Sequence, residues 1–189
     1  MEPCEAAGIC VKHHHTQDET ASARALDIAL LTVSDTRVED TDASGRLLAD
    51  RIVTKGHRLA DKRILPDDIY RIRALLSKWI ADDDVQVVIV TGGTGLTHRD
   101  CTPEAVLPLL DKEIRGFGEL FRQLSFAEIG ASTIQSRVVA GMANGTYIFC
   151  IPGSTAACRL AWDAILESQL DAGTRPCNFV RLMPRLKGS

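Results

Sequence analysis

VQVVIVTGGTG, residues 85–95, is the clearest indication of the fold class in this chain of 189 residues. Its first seven residues are mostly β-branched and apolar, which is typical of a strand that is buried on both faces. Gly92, Gly93 and Gly95 follow at once, with Thr94 among them. Glycine adopts the backbone angles that let N–H groups turn toward phosphate oxygens. The stretch therefore predicts a buried strand that ends in an anion-binding turn. A plain tight turn is the alternative, because neither a Walker A nor a GxGxxG pattern is present.

Predicted strands and helices alternate on both sides of this stretch. DIALLTVS, residues 27–34, indicates a second buried strand, and the more charged HRLADKRIL, residues 57–65, indicates a strand near a sheet edge. Apolar residues at helical spacing and helix-start signals predict helices in the segments 41–56, 66–84, 102–114, 116–130 and 154–170. Such alternation predicts an α/β domain with a mostly parallel sheet.

A hairpin is predicted near the C-terminal end of the domain. SRVVAG, residues 136–141, and TYIFCIPG, residues 146–153, flank Asn144-Gly145, a strong signal for a two-residue turn. Right-handed crossovers between parallel strands place helices on both faces of the sheet. The predicted fold class is therefore α/β: three layers, doubly wound, with a mostly parallel sheet that contains one antiparallel strand. We assign the domain to residues 25–180, between a disordered N-terminal tail, residues 1–24, and a C-terminal tail, residues 181–189.

The composition excludes several classes of protein. The net charge is -3, so no global basic field favours nucleic acid or an anionic membrane as a partner. No apolar run approaches the roughly 20 residues that span a bilayer. The N-terminus also lacks the apolar core of a signal peptide, and we therefore expect a cytoplasmic protein.

The six cysteines predict neither a structural zinc site nor disulfides, because none forms a CxxC pair and no secretion signal is present. Cys150 and Cys158 lie in apolar stretches and are predicted to be small core residues. A metal ion can be bound by thiol and imidazole groups such as those of Cys4, Cys10 and His13–His15. The segment around them is polar and lacks periodicity, which favours a disordered tail instead.

Polar turns follow four of the predicted strands, at the position where ligands bind in open α/β sheets. Because the carboxyl ends of parallel strands meet at one edge of a sheet, we expect these turns to converge on one site. The turns are Ser34–Arg37, Pro66–Asp68, Gly92–Gly95 and Pro152–Thr155.

Two carboxylates, Asp67 and Asp100, favour phosphate chemistry at this site. Magnesium typically binds one or two carboxylates together with substrate phosphates. The alternative is that Asp67 or its neighbour Asp68 caps a helix while Asp100 solvates a loop. Arg99 and Arg137 can supply positive charge to a phosphate, or each can form a surface salt bridge.

Other titratable residues have weaker claims to function. Asp35 can bind a hydrogen-bond donor of a ribose or a pterin, or it can pair with backbone N–H groups in its own turn. His57 and His98 have no visible partner and are predicted to be surface residues. Cys101 is not expected to act as a nucleophile, because it lacks a base and Asp100 beside it raises its pKa.

Six motifs occur in an order that resembles the MoaB/MogA family of molybdenum cofactor biosynthesis proteins. They are LLTVSDTR (30–37), LPDD (65–68), TGGTGLTHRDCTPEA (91–105), GFGELFRQLSF (116–126), STIQSRVVAG (132–141) and IPGSTAACRLAW (151–162). The resemblance covers about residues 25–180. The segments GFGE, PGSTAACR and TRPCNF are more similar to the MoaB branch than to the MogA branch.

The resemblance implies an enzyme that adenylylates molybdopterin with MgATP, releasing pyrophosphate. It implies a doubly wound homo-trimer or homo-hexamer whose product passes to a downstream molybdotransferase. Asp67 and Asp100 match the family's catalytic, metal-binding aspartates. With the strand-end turns, the resemblance predicts these substrate-binding residues: Ser34, Asp35, Gly92, Gly93, Thr94, Gly95, Thr97, Ser136, Arg137, Pro152 and Gly153.

A non-catalytic homologue that binds molybdopterin or a nucleotide is one alternative, and an assembly role in which the C-terminal arm around residues 175–179 packs on a neighbouring subunit is another. The presence of both Asp67 and Asp100 favours the enzyme. The choices between ATP and GTP, between trimer and hexamer, and between molybdenum and tungsten stay open.

Overall fold

Among residues 24–186, which the computed structural model describes, six strands form one sheet with helices on both faces. The strands are β1 (Asp27–Val33), β2 (Arg58–Leu65), β3 (Val87–Thr91), β4 (Lys112–Glu113), β5 (Val139–Ala143) and β6 (Thr146–Ile151). The helices are α1 (Ala43–Thr54), α2 (Ile69–Ile80), α3 (Thr102–Val106), α4 (Arg115–Ile129), α5 (Thr155–Ala161) and α6 (Glu167–Gln169). A π-helical turn, Trp162–Leu166, joins α5 to α6, and 3-10 turns occupy Glu39–Thr41, Leu107–Leu109, Gly130–Gln135 and Val180–Arg185.

The strand order is β2-β1-β3-β6-β5-β4. β1 pairs in parallel with β2 and β3, and β3 pairs in parallel with β6. β5 is antiparallel to both β6 and β4, so it runs against the other described strands. The predicted three-layer, doubly wound α/β class, with a mostly parallel sheet and one antiparallel strand, is confirmed. The charged strand β2 lies at an edge, as its sequence predicted.

The buried strand β3 divides its side chains between two hydrophobic cores. Val87 and Ile89 pack in the core that α1, α4 and α5 cover, while Val88 and Val90 pack in the core that α2 and α3 cover. All four side chains are fully buried, and each contributes roughly 1.5–3 kcal/mol through the loss of apolar surface to water. A continuous apolar run is therefore required at β3, because both faces of the strand are covered.

Local signals in the sequence set where the helices begin and where the hairpin turns. Asp42 caps α1 by accepting a hydrogen bond from Gly45 N at 2.9 Å. Asp68 caps α2 by accepting from the backbone N–H groups of the next turn at 2.9 and 3.0 Å. In the hairpin, Asn144 and Gly145 both have positive φ, 48° and 80°, which suits the two-residue turn predicted there.

The segment 102–114 differs from its prediction as a helix. The helix α3 ends at Val106, a 3-10 turn that contains Pro108 follows, and Lys112–Glu113 forms the short strand β4. Proline has no N–H group and its ring clashes with the preceding turn, so an α-helix does not continue through Pro108.

The C-terminal segment packs on the core that α1, α4 and α5 cover. Val180 is buried in this core, and Met183 and Leu186 pack against it. Ordered structure therefore continues past residue 180, where the C-terminal tail was predicted to begin. The predicted N-terminal tail, with its Cys4, Cys10 and His13–His15, lies outside the described residues. No helix between residues 24 and 186 combines the length and the hydropathy that a membrane span requires.

Candidate active site

A cavity of about 480 Å³ opens at the carboxyl ends of β1, β2, β3 and β6. All four of the polar turns that follow these strands contribute to its lining. Many residues that were predicted to form the site line this cavity, namely Ser34, Asp67, Gly92, Gly93, Thr94, Gly95, Asp100, Ser136, Pro152 and Gly153. Asp35, Thr97 and Arg137 were also predicted to bind substrate, but they do not line this cavity.

The glycine loop approaches the neighbouring backbone too closely for side chains. Gly92 and Gly93 have positive φ angles of 102° and 62°. A Cβ atom on Gly92 would lie 2.2 Å from the carbonyl oxygen of Val33, and one on Gly153 would lie 3.2 Å from Gly92 Cα. Thr102 closes the loop, because its Oγ1 donates to Gly92 O at 2.8 Å and its N–H donates to Gly93 O at 2.9 Å. The turn is thereby fixed between β1, β6 and α3.

The carboxylate of Asp100 folds back onto its own loop. Its Oδ1 accepts a hydrogen bond from Gly95 N at 3.0 Å, and its Oδ2 accepts from Thr97 N at 2.9 Å and from Thr97 Oγ1 at 2.6 Å. Burial alone would raise the pKa of Asp100. The hydrogen bonds from Thr97 and Gly95 outweigh burial, so the pKa lies below its usual value and the charged form is favoured. Thr97 thus holds Asp100 in place from outside the cavity.

Asp67 has the opposite electrostatic environment. Burial raises the pKa of Asp67, and the negative charges of Asp35 and Asp100 raise it further. Its Oδ1 faces the glycine loop, since a Cβ atom on Gly93 would lie 2.8 Å from it. Asp67 is therefore a partly desolvated carboxylate beside other carboxylates, and a nearby cation would favour its charged form.

The pair of Asp67 and Asp100 fits a divalent cation that arrives with a substrate. Within residues 24–186, no group of three or more His, Cys, Asp or Glu side chains is arranged to hold a metal ion without help. Magnesium typically completes its shell with substrate phosphates and water when the protein supplies one or two carboxylates. The donor set therefore fits Mg²⁺ held with a phosphate-bearing molecule.

Asp35 forms an ion pair with Arg99 outside the lining of this cavity. Arg99 Nε donates to Asp35 Oδ2 and Arg99 Nη2 donates to Asp35 Oδ1, both at 2.9 Å. The N–H group of Asp67 also donates to Asp35 Oδ1, at 3.1 Å. The guanidinium of Arg99 lowers the pKa of Asp35 below its usual value. Both oxygens of Asp35 therefore already have protein partners.

Ser136 and Arg137 are adjacent in sequence but have different environments. Ser136 lines the cavity, and its buried Oγ has no hydrogen-bond partner among the described residues. Arg137 lies behind the loop: its Nε donates to Gly95 O at 2.8 Å, its Nη2 donates to Asp100 O at 3.1 Å, and its Nη1 pairs with Glu104. The arginine supports the backbone that carries Asp100, whereas the Ser136 hydroxyl is a buried polar group without a partner at the wall of the cavity.

Sequence reasoning did not identify one wall of the cavity. This wall comes from α4 and the following 3-10 turn and consists of Phe121, Ser125, Ile129, Ser132 and Gln135. The spacing of four between Phe121, Ser125 and Ile129 is a signal that they share a helix face. That signal does not reveal which loop the face meets, because the contact is distant in sequence.

Arg37 belongs to the predicted polar turn after β1, but the sequence assigned it no role of its own. It lines the cavity, and its Nη2 donates to Gly153 O at 2.8 Å while its Nη1 donates to Ser44 Oγ at 2.8 Å. Its Nη1 also lies 3.4 Å from Asp42, whose side chain is 0% exposed. A cation directly after the first strand was the available signal. The contacts show that Arg37 joins the turn after β1 to the turn after β6.

The remaining titratable residues lie outside the cavity. His57 is only 8% exposed, so its prediction as a surface residue is wrong: its Nδ1 accepts a hydrogen bond from Leu26 N at 3.3 Å. Burial lowers the pKa of His57. His98 is exposed, as predicted. Burial, and then Asp67, raise the pKa of Cys101, which fits its rejection as a nucleophile.

The predicted core cysteines, Cys150 and Cys158, are both fully buried. Burial raises the pKa of each thiol, so neither is a reactive thiolate.

Comparison with known protein families identifies the class to which this fold and cavity belong. Residues 29–172 match the MoCF_biosynth family, whose description is "Probable molybdopterin binding domain". The chain belongs to the MoaB/MogA family of molybdenum cofactor biosynthesis proteins.

Its similarity is to the MoaB branch, as the sequence motifs predicted. Molybdenum cofactor biosynthesis protein B of Escherichia coli (strain K12) is 61% identical over 152 residues, covering 80% of this chain and 89% of the relative. The protein of the same name from Staphylococcus aureus (strain MRSA252) is 45% identical over 151 residues, covering 78% and 89%. A crystal structure of a molybdenum cofactor biosynthesis protein B superposes with a TM-score of 0.78 at 39% identity, covering 86% of this chain and 96% of that one.

Proposed function

We propose that this protein acts in molybdenum cofactor biosynthesis as a Mg²⁺- and ATP-dependent molybdopterin adenylyltransferase. The observation that carries the proposal is the meeting of Asp67, Asp100 and the glycine loop Gly92–Gly95 at one cavity. Such a site suits two phosphate-bearing substrates, because backbone N–H groups and a carboxylate-bound cation offset their negative charge. The relatives are named for the same pathway.

The proposed reaction joins two phosphates and needs no covalent intermediate on the protein. An oxygen of the terminal phosphate of molybdopterin attacks the α-phosphorus of ATP and forms a new P–O bond. The bond from the α-phosphorus to the oxygen that bridges it to the β-phosphorus breaks, and pyrophosphate leaves with that electron pair. Positioning and electrostatic stabilisation dominate the catalysis of such transfers. The position of Cys101, outside the cavity and with a raised pKa, is consistent with this reaction.

Different residues around the cavity would bind the cation, orient the phosphates and contact the ring of a substrate. Asp67 and Asp100 would hold Mg²⁺, which when bound neutralises phosphate charge as it develops on the leaving group. The glycine loop orients the phosphates through its backbone. The unpaired hydroxyl of Ser136 supplies a hydrogen bond to a substrate. Ser132 and Gln135, beside the apolar surface of Ile129, suit a flat ring with hydrogen-bonding edges, such as a pterin or an adenine.

The predicted partners of the protein are part of the same proposal. A homo-trimer or homo-hexamer is supported by large apolar side chains that are exposed at the end of α4 and beyond it, namely Phe126, Ile129 and Ile134. A downstream molybdotransferase would receive the adenylylated product. A cytoplasmic location stays a prediction from the sequence.

Pyrophosphate release from MgATP, measured with and without molybdopterin, tests the proposal. We expect molybdopterin-dependent release by the wild type and its loss in Asp67→Asn and Asp100→Asn. Asp68→Asn is the matched control, because its side chain caps α2 and asparagine caps helices equally well. Tight binding of molybdopterin without any release would show a binding protein instead of an enzyme.

A further inference from the structure

One exposed carboxylate connects three of the loops that form the candidate active site. Asp35 follows β1, Arg99 belongs to the loop after β3, and Asp67 follows β2. Arg99 donates two hydrogen bonds to Asp35, each at 2.9 Å, and Asp67 N donates a third at 3.1 Å. Because Arg99 directly precedes Asp100, this carboxylate lies between the two segments that carry the proposed metal ligands.

We propose that Asp35 and Arg99 are positioning residues that fix Asp67 relative to Asp100 and thereby set the affinity of the site for a divalent cation. The inference rests on the metal-binding role in the proposed function. It assigns Asp35 a role different from the substrate contact predicted from the sequence.

The contacts of Asp35 favour positioning over substrate binding. It does not line the cavity, and both of its oxygens accept hydrogen bonds from the protein. The side chains of Arg99 and Asp35 remain 51% and 39% exposed. Exposed ion pairs add little to the stability of a fold. The geometry of this one, with two parallel N–H···O bonds, instead gives a fixed orientation between two loops.

The Asp67 turn has few other constraints. Asp68 N donates to Pro66 O at 2.8 Å, and the side chain of Asp68 caps α2. Those contacts fix the start of α2. The hydrogen bond to Asp35 connects the turn to a different loop. Removal of Asp35 leaves Asp67 N without this partner and leaves Arg99 without its ion pair.

The test measures cation binding directly. Mn²⁺ binding, followed by the loss of the free-ion signal in electron paramagnetic resonance, would be measured with a non-hydrolysable ATP analogue present and corrected for the Mn²⁺ that the analogue binds in the absence of protein. We expect Asp35→Ala to weaken Mn²⁺ binding by about 10- to 100-fold, the usual range when a residue that orients a metal ligand is lost. Asp35→Asn keeps an oxygen for Asp67 N and should recover part of the affinity. Arg99→Lys loses the bidentate contact with Asp35 and should weaken Mn²⁺ binding about as much as Asp35→Ala does.

Glu113→Gln is the matched control, since it removes a similar exposed ion pair, Arg115–Glu113, on the strand β4 far from the turn after β2. It should leave Mn²⁺ binding unchanged. Amide hydrogen exchange provides a readout that needs no metal: the N–H group of Asp67 should exchange faster in Asp35→Ala than in the wild type.

The outcomes separate the two proposals. Wild-type protein that binds no Mn²⁺ would overturn the metal role on which both rest. Wild-type binding that persists with the same affinity in Asp35→Ala, together with unchanged exchange at Asp67, would overturn the positioning role alone.

Discussion

Replacement of Gly92 by alanine should destabilise the protein more than replacement of any glycine whose surroundings are open. Gly92 has a φ of 102°, and an added Cβ atom would lie 2.2 Å from the carbonyl oxygen of Val33. That oxygen belongs to the backbone of β1, which parallel pairing holds on both sides, so it cannot move without disturbing the sheet. The variant therefore introduces both backbone strain and a steric clash.

Two other glycines separate these contributions. Gly56 has a φ of 88° but open space around it, and Gly116 has neither a positive φ nor a nearby atom. A positive φ costs an alanine roughly 1–2 kcal/mol, which is the loss expected for Gly56→Ala. Overpacking adds roughly 1–3 kcal/mol, so Gly92→Ala should lose about 2–5 kcal/mol. Gly116→Ala should lose nothing, because alanine is the better helix former.

Urea or guanidinium unfolding of the three variants, followed by circular dichroism, gives the free energies directly. For a chain of this size the loss in Gly92→Ala corresponds to a melting temperature lower by about 4–20 °C. If Gly92→Ala lost no more stability than Gly56→Ala, the close approach of the loop to β1 would be refuted.

Two further predictions concern the pH dependence of stability and the assembly of the protein. Burial lowers the pKa of His57, so the unfolded chain binds a proton more readily than the native protein. The stability that the neutral imidazole contributes is present above the unfolded pKa of about 6.5 and is lost as the pH falls through it. The free energy of unfolding should therefore decrease between about pH 7.5 and about pH 5.5, and His57→Gln should reduce this slope; equal slopes in both proteins would contradict the assignment. Sedimentation should show an assembly larger than a monomer because Phe126, Ile129 and Ile134 are exposed, and a monomer at micromolar concentration would exclude it.

Much of the fold could be predicted because its signals are local. The apolar run of β3, the caps Asp42 and Asp68, and the Asn144-Gly145 turn each act within a few residues. Parallel topology then places the strand-end turns at one edge, which is why most of the candidate site could be inferred. The helix predicted over residues 102–114 is present only to Val106, because Pro108 prevents its continuation and β4 pairs with a distant strand.

The remaining features of the site depend on contacts between residues far apart in the sequence. Nothing local distinguishes Arg137, whose donors go to two backbone carbonyls and to Glu104, from an arginine that contacts phosphate. Asp35 is likewise paired with Arg99, 64 residues away. His57 is polar and next to a turn, yet it is buried beside Leu26. Such partners follow from packing, and one sequence does not specify them.

The destination of the α-phosphate of ATP shows whether the protein transfers an adenylyl group. ATP radiolabelled at the α-phosphate would be incubated with Mg²⁺, molybdopterin and the wild-type protein, beside a parallel sample labelled at the γ-phosphate. We expect the α-label to move to molybdopterin while the γ-label leaves in pyrophosphate. Transfer of the γ-label to molybdopterin, or no transfer of either label while both substrates are bound, would contradict this expectation.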